Sequence, residues 1–313
     1  MRRPPGHAAA ALAVLLTVAA TADAAERAVE PLPVTEAAPG VFVHVGAHEE
    51  ADAANHGDIA TLGFIVGAEA VAVVDTGGSP HIGQRLRAAV AAQSDRPVAY
   101  VINTHMHPDH VFGNAAFPEA QVIGHHALHA ALAARFAIYR DRLAESVGDE
   151  EAAALAPLRV DVAVADSLTL DLGDRELLLT AHPTAHTNND LTVLDRATGT
   201  LFTGDLLFVG RVPSLDGSLR GWLRVMDSLN GPEVARMVPG HGPVQDDPAP
   251  ALAAQRRYLE GLAAQARRLI AGGGGLMQAQ ADLAPPDDSD GWLLLDDYHG
   301  RNVSAAFAEL EWD

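Results

Sequence analysis

The sequence contains no cysteine and no lysine, since all 21 of its basic residues are arginines. The missing cysteine excludes disulfides, thiolate nucleophiles, cysteinyl zinc sites and iron–sulfur clusters. The missing lysine excludes Schiff-base chemistry, pyridoxal-phosphate enzymes and the lysine of a P-loop. The side chains left for catalysis are carboxylates, hydroxyls and the 15 histidines.

Positive charge is also scarce. The 313 residues carry 41 acidic side chains against 21 basic ones, a formal net charge of −20, and no basic stripe stands out. A chain this acidic repels phosphate backbones, so nucleic-acid binding is not expected. Hydrophobic residues make up 48% of the chain and charged residues 20%, which is enough apolar material for a globular core.

The N-terminus has the pattern of an export signal. Arg2 and Arg3 precede an apolar run over residues 8–22, and Ala22 and Ala24 are the small residues that a signal peptidase requires. The run is shorter than the about 20 residues of a membrane anchor, which is the alternative. We therefore expect a signal peptide over residues 1–24, a linker over 25–33, and a periplasmic or secreted protein with no membrane anchor after processing.

Short apolar runs separated by turn residues follow. They predict strands near residues 62–66, 71–74, 98–102, 121–123, 168–172, 176–180, 191–194 and 200–203. Helical patterns cover residues 81–93, most of 127–155 with a break near Gly148, and 250–270. Two strand-rich halves that each end in helices predict an α/β fold with two packed sheets and helices outside.

The most informative stretch directly follows the predicted strand at 98–102 and reads Thr104-His105-Met106-His107-Pro108-Asp109-His110. Alternate side chains of an extended backbone share a face, so His105 and His107 can bind one metal ion together. Pro108 bends the chain and can aim Asp109 and His110 at a neighbouring position. A histidine-rich surface loop is the alternative interpretation.

Three later segments place further metal-ligand types at strand ends and turns. They are Ala185-His186-Thr187-Asn188-Asn189-Asp190, Phe202-Thr203-Gly204-Asp205 and Val238-Pro239-Gly240-His241-Gly242. A single His or Asp in such a turn is more often a cap or a solvated group. The order of the three segments after the first motif is what makes the set specific.

In this order of motifs the chain resembles the metallo-β-lactamase superfamily over about residues 32–242. The resemblance implies a four-layer αβ/βα sandwich over residues 34–250, with the metals at one edge of the two sheets, and a C-terminal helical extension over 251–313 packed on the same domain. It implies one metal ion on His105, His107 and His186, a second on Asp109, His110 and His241, and Asp205 as a bridge between them. The best-known β-lactamases have cysteine in place of Asp205, so an aspartate here is more similar to glyoxalase II, lactonases and related hydrolases.

The implied site predicts hydrolysis. Two metal ions about 3.5–4 Å apart can share a water, lower its pKa towards 7 and hold it as a bridging hydroxide. Asp109 would orient this hydroxide, which makes it the predicted catalytic residue. Nitrogen and oxygen ligands favour two zinc ions, and iron or manganese also suit such a site. The expected substrate is a small ester, thioester, lactone or amide.

Two other functions stay open at this stage. One is a mononuclear iron sulfur dioxygenase, which shares the scaffold but uses fewer ligands of the second site. The other is a non-catalytic accessory or assembly factor for a periplasmic quinoprotein. Residues 203–218 and 302–312 look like those of exported zinc hydrolases associated with quinoprotein dehydrogenase systems, related to a sulfur-oxidation accessory hydrolase. This narrower resemblance implies a periplasmic quinoprotein as a candidate partner.

Arg211 and a long insertion are the candidate substrate-binding features. Arg211 follows Asp205 closely enough to bind an anionic substrate, or else to pair with Asp216 or a neighbouring loop. The segment from His126 to Leu155 is long for a connection, which predicts a lid over the site. Its apolar residues have helical spacing, so the alternative is that they pack on the core; they are Leu128, Leu132, Phe136 and Tyr139.

The remaining histidines are expected to be structural or solvated. His125 and His126, with His129 one helical turn on, and His182, four residues before His186, are weaker ligand candidates because of this spacing. The others are His44, His48, His56, His81 and His299, of which His48 and His56 lie in a polar loop that can border the pocket.

Overall fold

The structure is a computed structural model that describes residues 29–155, 157, 159–286, 289 and 291–312. The predicted signal peptide, its cleavage after Ala24 and the first residues of the linker lie outside this part of the chain. None of the helices in the described residues has the length and hydropathy of a membrane span.

The first sheet has seven strands in chain order. They are β1 Thr35–Ala38, β2 Val41–Val45, β3 Thr61–Val66, β4 Val71–Val74, β5 Val98–Asn103, β6 Gln121–His125 and β7 Val162–Val164. Strands β1 to β4 pair antiparallel, and β4 to β7 pair parallel. Parallel neighbours bring the carboxyl ends of β4, β5 and β6 to the same edge of the sheet.

The second sheet has five strands in the order β12-β11-β10-β9-β8. They are β8 Ser167–Asp171, β9 Glu176–Ala181, β10 Leu191–Asp195, β11 Thr200–Phe208 and β12 Arg236–His241. Only β11 and β12 pair parallel within this described sheet.

Eight α-helices lie in the described residues. They are α1 Pro80–Gln93, α2 Pro108–Val111, α3 Leu128–Ser146, α4 Asp149–Ala154, α5 Leu219–Leu229, α6 Ala249–Ala271, α7 Leu276–Asp282 and α8 Leu295–Leu310. A 3₁₀ turn covers Asn114–Ala116.

The two sheets pack face to face, and one apolar cluster contains residues of both. Successive strand residues point to opposite sides of a sheet, so neighbours in sequence enter different clusters. Val74 belongs to the apolar cluster between the sheets, together with Phe202 of β11. Its neighbour Val73 belongs instead to the cluster beneath α1, with Leu86. On the outer side of the second sheet, Leu207 packs in a third cluster with helices α5, α6 and α8. The resulting order of helix, sheet, sheet and helix confirms the predicted four-layer αβ/βα sandwich.

The C-terminal helices share the core of the second half of the sandwich. Tyr258 of α6 and Phe307 of α8 are buried in the same cluster as Trp222 of α5. Asn302 of α8 donates to the Tyr258 hydroxyl oxygen at 2.9 Å and to the main-chain oxygen of Pro213 at 2.6 Å. These bonds tie α8 to α6 and to the loop that follows β11.

The insertion between β6 and β7 packs on the first histidine motif. Leu128, Leu132 and Tyr139 are buried in one cluster with Met106 and Phe112, and Phe136 packs against that cluster. The apolar side of α3 therefore contacts the core, as the alternative to a lid predicted. The helix lies beside residues 106–112.

Candidate metal centre

The predicted ligands come from strand ends and turns at one edge of the two sheets. The chain leaves β5 at Asn103 and carries His105 and His107 before α2, whose first turn contains Asp109 and His110. His186 lies in the turn between β9 and β10, Asp205 lies within β11, and β12 ends at His241.

Two glycines allow the backbone to come this close. Gly204 has a φ of +51°, and a Cβ there would lie 2.5 Å from Oγ1 of Thr104. A Cβ on Gly240 would overlap Oδ1 of Asp205. Both positions need glycine because the neighbouring strand and loop occupy the space of a side chain.

All seven predicted ligands meet in two adjoining groups. In each group the candidate ligand atoms lie within 4.8 Å of one another; the first is His105, His107, His186 and Asp205, and the second is Asp109, His110 and His241. We call these the first group and the second group.

Asp205 connects the two groups through its two oxygens. Oδ2 lies 3.6 Å from Nε2 of His105 and 3.4 Å from Nε2 of His186, both in the first group. Oδ1 lies 3.1 Å from Nε2 of His110 and 3.5 Å from Nε2 of His241, both in the second group. One carboxylate thus presents a different oxygen to each group.

The ring nitrogens that face away from the groups are occupied. His110 Nδ1 contacts Oδ2 of Asp75 at 2.8 Å, His186 Nδ1 contacts the Ser214 oxygen at 2.6 Å, and His241 Nδ1 contacts the Ile59 oxygen at 2.8 Å. These contacts hold Nδ1 as the donor and turn Nε2 toward the groups. In His107 the two ring nitrogens exchange these roles: Nε2 contacts Asp216 at 3.1 Å, and Nδ1 faces His186 in the first group.

Unsatisfied polar atoms show that the two groups are suited to bind metal ions. Nε2 of His105, Nε2 of His110 and Oδ1 of Asp205 are buried and form no hydrogen bond of good geometry, although the last two atoms lie 3.1 Å apart. Buried polar atoms normally have a partner, and three orphaned atoms that converge at one point indicate a missing one. Imidazole nitrogens with carboxylate oxygens are the ligands that zinc and similar divalent metals take.

The charges of the two groups differ. Burial lowers the pKa of His105 well below its usual range and that of His186 to about 3, so both rings are neutral. Burial is the largest single effect on His110 and His241 and lowers their pKa, but the carboxylates around each ring together outweigh it and raise the pKa of both: Asp205, Asp109 and Asp75 around His110, and Asp205 and Asp109 around His241. Burial opposes the ionisation of Asp109 too, yet the histidines around it hold the pKa of its carboxyl below the usual range.

Asp75 is a site residue that the sequence analysis missed. It accepts hydrogen bonds from the main-chain nitrogen of Thr104 at 2.8 Å and from Oγ1 of Thr104 at 2.7 Å, in addition to its contact with His110. The usable signal was its place directly after β4, because β4 and β5 are parallel and their carboxyl ends meet.

The sequence comparison decides the family. Residues 57–241, more than half of the chain, match the family model described as "Metallo-beta-lactamase superfamily". The chain belongs to the metallo-β-lactamase superfamily. The matched range of this superfamily member contains all seven ligand candidates, from His105 to His241. A comparison with curated protein sequences gives no significant match.

Solved structures agree on the fold of this superfamily member. A metallo-β-lactamase from Pontibacter korlensis is 20% identical, with a TM-score of 0.58 over 73% of this chain and 99% of that one. The TMB-1 structure is 18% identical, with a TM-score of 0.57 over 74% of this chain and 97% of that one. The sec-alkylsulfatase Pisa1 from Pseudomonas sp. is 14% identical, with a TM-score of 0.72 over 89% of this chain and 50% of that one. At these identities the likeness concerns the fold.

The weaker ligand candidates lie outside both groups. His125 Nδ1 accepts from the main-chain nitrogen of Ala127, and His182 Nε2 contacts Oγ1 of Thr192. His129 is exposed. His48, which was expected to border the pocket, lies close enough to His241 and Arg211 for both to lower its pKa, although burial is the larger cause.

Arg211 does not pair with Asp216, one of its two predicted alternatives. Asp216 instead forms an ion pair with Arg135 of α3 and contacts His107. Arg211 is buried, with Nη1 3.4 Å from Nδ1 of His241. The guanidinium thus lies directly behind a ligand of the second group.

Proposed function

We propose that the protein is a hydrolase that uses two zinc ions, with iron or manganese as the alternative metals, on a small ester, thioester, lactone or amide. The observation that carries this proposal is the carboxylate of Asp205, whose two oxygens face two separate groups of ligand atoms. A single tetrahedral ion needs four ligands, whereas seven converge here.

His105, His107 and His186 would hold one ion, Asp109, His110 and His241 the other, and Asp205 would contact both. When bound, such a pair of ions supplies Lewis acidity for a carbonyl oxygen and lowers the pKa of a water molecule. The protein then needs no nucleophilic side chain, which agrees with a chain that lacks cysteine and lysine.

Asp109 is the proposed catalytic residue. Its Oδ2 lies 3.2 Å from Nε2 of His241 and 3.5 Å from Nε2 of His110, which leaves Oδ1 available. The lowered pKa of Asp109 keeps the carboxylate ionised at neutral pH. As an anion it can accept a hydrogen bond from the attacking water, orient it, and receive its proton.

The second group favours this function over the two alternatives. An iron dioxygenase with one metal does not use the full set of Asp109, His110 and His241, and a non-catalytic assembly factor does not need any of it. Metal analysis combined with a panel of neutral esters, thioesters, lactones, β-lactams and alkyl sulfates distinguishes them. Hydrolysis that a chelator abolishes supports the proposal; oxygen uptake with a persulfide and one iron per chain supports the dioxygenase. If the metal-loaded protein catalyses neither reaction, that result supports the assembly factor.

We further propose that the protein is exported and works in the periplasm, with Ala25 as its mature N-terminus. The support is the sequence pattern of residues 1–24. N-terminal sequencing of exported protein tests this, and a sequence that starts at Met1 contradicts it.

We also propose a functional link to a periplasmic quinoprotein, which rests on residues 203–218 and 302–312. Its test is whether deletion of the gene impairs quinoprotein dehydrogenase activity in periplasmic extracts.

A further inference from the structure

Two ligands of the first group contact the connection between β11 and α5. We call its residues 210–218 the β11–α5 loop. Nδ1 of His186 donates to the main-chain oxygen of Ser214 at 2.6 Å. Nε2 of His107 lies 3.1 Å from Oδ2 of Asp216. Because each contact occupies the ring nitrogen that faces away from the first group, the position of this loop orients both rings.

One side of the loop packs on the turn that carries His186. The main-chain nitrogen of Asp216 donates to the His186 oxygen at 3.1 Å, and that of Ser218 donates to the Ala185 oxygen at 2.8 Å. A Cβ on Gly217 would lie 2.4 Å from the same Ala185 oxygen, so the two segments are in close contact. What packs on the other side of the loop therefore fixes the position of both.

The segment that leads into α8 holds the start of the loop. The main-chain nitrogen of Leu293 donates to the Gly210 oxygen at 3.1 Å, and that of Val212 donates to the Leu293 oxygen at 3.1 Å. These two bonds form a short parallel bridge between the segments.

Asn302 of α8 holds the middle of the loop. Its Nδ2 donates to the Pro213 oxygen at 2.6 Å, and its Oδ1 accepts from the main-chain nitrogen of Leu215 at 2.9 Å. The side-chain amide thus binds both neighbours of Ser214, as an adjacent strand would. Nδ2 also donates to the Tyr258 hydroxyl oxygen at 2.9 Å. Asn302 is 1% exposed, and a buried amide whose donors and acceptor are all used is held in one orientation.

Glu309 of α8 holds the end of the loop. Its carboxylate accepts from Oγ of Ser218 at 2.9 Å, from the main-chain nitrogen of Leu219 at 2.6 Å and from that of Arg220 at 3.3 Å. The first N–H groups of a helix have no partner within the helix and attract a carboxylate. Glu309 thereby fixes the chain two residues after Asp216.

The contacts at the start, middle and end of the loop all come from residues 293–309. This segment lies beyond residue 241, where the match to the superfamily model ends. We propose that Asn302 and Glu309 are positioning residues for the metal centre: they hold the β11–α5 loop, and the loop orients the two histidines of the first group that it contacts. This inference rests on the metal binding in the proposed function and does not depend on the substrate.

The second group is oriented mainly by residues outside the loop. Nδ1 of His110 contacts Asp75 at 2.8 Å, and Nδ1 of His241 donates to the main-chain oxygen of Ile59 at 2.8 Å. Arg211 of the loop also approaches His241, at 3.4 Å, but it precedes the part of the loop that the two positioning residues hold. Loss of their contacts should therefore weaken metal binding by the first group selectively.

The test measures the zinc affinity of each group separately, in the full chain, by competition with a chromophoric chelator. His241→Ala removes a ligand of the second group and leaves the first to be titrated, and His186→Ala does the reverse. Asn302→Ala is introduced into both. Zinc affinity of the first group should fall by about tenfold, the lower end of what the loss of an outer-shell contact costs, and that of the second should be unchanged. An equal fall in both groups, or no fall in either, overturns the proposal.

Val303→Ala is the matched control for a loss of stability alone. Val303 is the next residue on α8, is 1% exposed and packs in the apolar cluster with Trp222. Its removal should lower the unfolding temperature, but an apolar side chain gives the loop no hydrogen bond, so both zinc affinities should stay unchanged. The same selective fall in Val303→Ala would show that destabilising α8 is enough, and would overturn the role of Asn302.

Glu309→Ala decides if Asn302→Ala does not fold. Glu309 lies nearer the surface, with 17% of its side chain exposed, so its replacement is better tolerated. We expect a fall in the zinc affinity of the first group and none in that of the second. Unchanged affinity of the first group overturns the proposal.

Nuclear magnetic resonance of the metal-free protein separates this inference from the proposed function. The ring N–H that His186 donates to Ser214 and the one that His241 donates to Ile59 are compared in wild type, Asn302→Ala and Val303→Ala. In Asn302→Ala the His186 signal should shift or be lost through exchange with water, while the His241 signal stays. An unchanged His186 signal overturns the proposal. If wild type binds no zinc, the proposed function fails, and the His186 signal still decides on the role of α8.

Discussion

Nε2 of His107 lies 3.1 Å from Oδ2 of Asp216, and the same oxygen forms an ion pair with Arg135 of α3. Arg135 also donates to the Tyr139 hydroxyl at 3.2 Å on the same helix. This chain of contacts connects the inserted helix to a ligand of the first group. It also explains why His107 offers Nδ1, since its other nitrogen is committed to Asp216.

The first prediction concerns this contact. Replacing Asp216 by Ala removes the acceptor that orients the His107 ring, so zinc affinity of the first group should fall by about 10- to 100-fold, as outer-shell losses commonly do. Arg135→Gln should have a smaller effect in the same direction. Competition with a chromophoric chelator measures both. The control is Asp141→Asn, which breaks only an exposed pair with Arg140 on the same helix. Unchanged affinity in Asp216→Ala would show that the contact does not position the ligand.

The second prediction concerns pH. The raised pKa of His110 and His241 means that protons occupy the metal-free second group near neutrality, whereas the lowered pKa of His105 and His186 leaves those rings neutral. A metal ion must displace a bound proton, and this competition weakens as pH rises through the pKa. Between about pH 6 and 8, affinity of the second group should therefore rise with pH, while that of the first group changes less. Zinc titrations monitored by calorimetry at several pH values test this. Loss of the first-group ion before the second on acidification would contradict it.

The third prediction concerns stability. Asn302 is buried and accepts from the main-chain nitrogen of Leu215 at 2.9 Å, besides its donor contacts to Pro213 and Tyr258. Asn302→Ala leaves buried groups unsatisfied and should lower the free energy of unfolding by about 2–3 kcal/mol. Urea unfolding of the purified protein measures it. Gln280→Ala is the control, because the exposed Gln280 side chain bonds only Ser304 among the described residues; it should change stability by less than about 0.5 kcal/mol. A similar effect in both variants would contradict the role of Asn302.

The sequence predicted the part of the fold that local patterns encode. Runs such as Val71–Val74 and Val98–Asn103 are short, apolar and bounded by turn residues, which a strand requires. Strand β7 was not predicted, because three residues are too few to show a periodic apolar pattern. Helix α5 was not predicted although its signal was present, because its buried residues recur at helical spacing: Leu219, Trp222, Val225, Met226 and Leu229.

The candidate site divides in the same way. The seven ligand candidates could be found because their residue types and order resemble a family, and the structure brings all seven together. The sequence could not reveal the contacts of Asp75 with His110 and of Asp216 with His107, because these contacts join residues far apart in the chain. Neither spacing nor composition encodes which carboxylate reaches which ring. That information depends on how the strands and the insertion pack.

The most direct test of the two-metal hydrolase is the metal content of purified mature protein, measured by elemental analysis beside the initial rate on an ester. Wild type should contain about two metal ions per chain, since seven ligands exceed what one tetrahedral site uses. Asp205→Ala removes the carboxylate shared by both groups, and should hold fewer ions and lose hydrolysis while it remains folded. One ion per chain in wild type, unchanged when zinc is added, or full activity of Asp205→Ala, would contradict the two-metal centre.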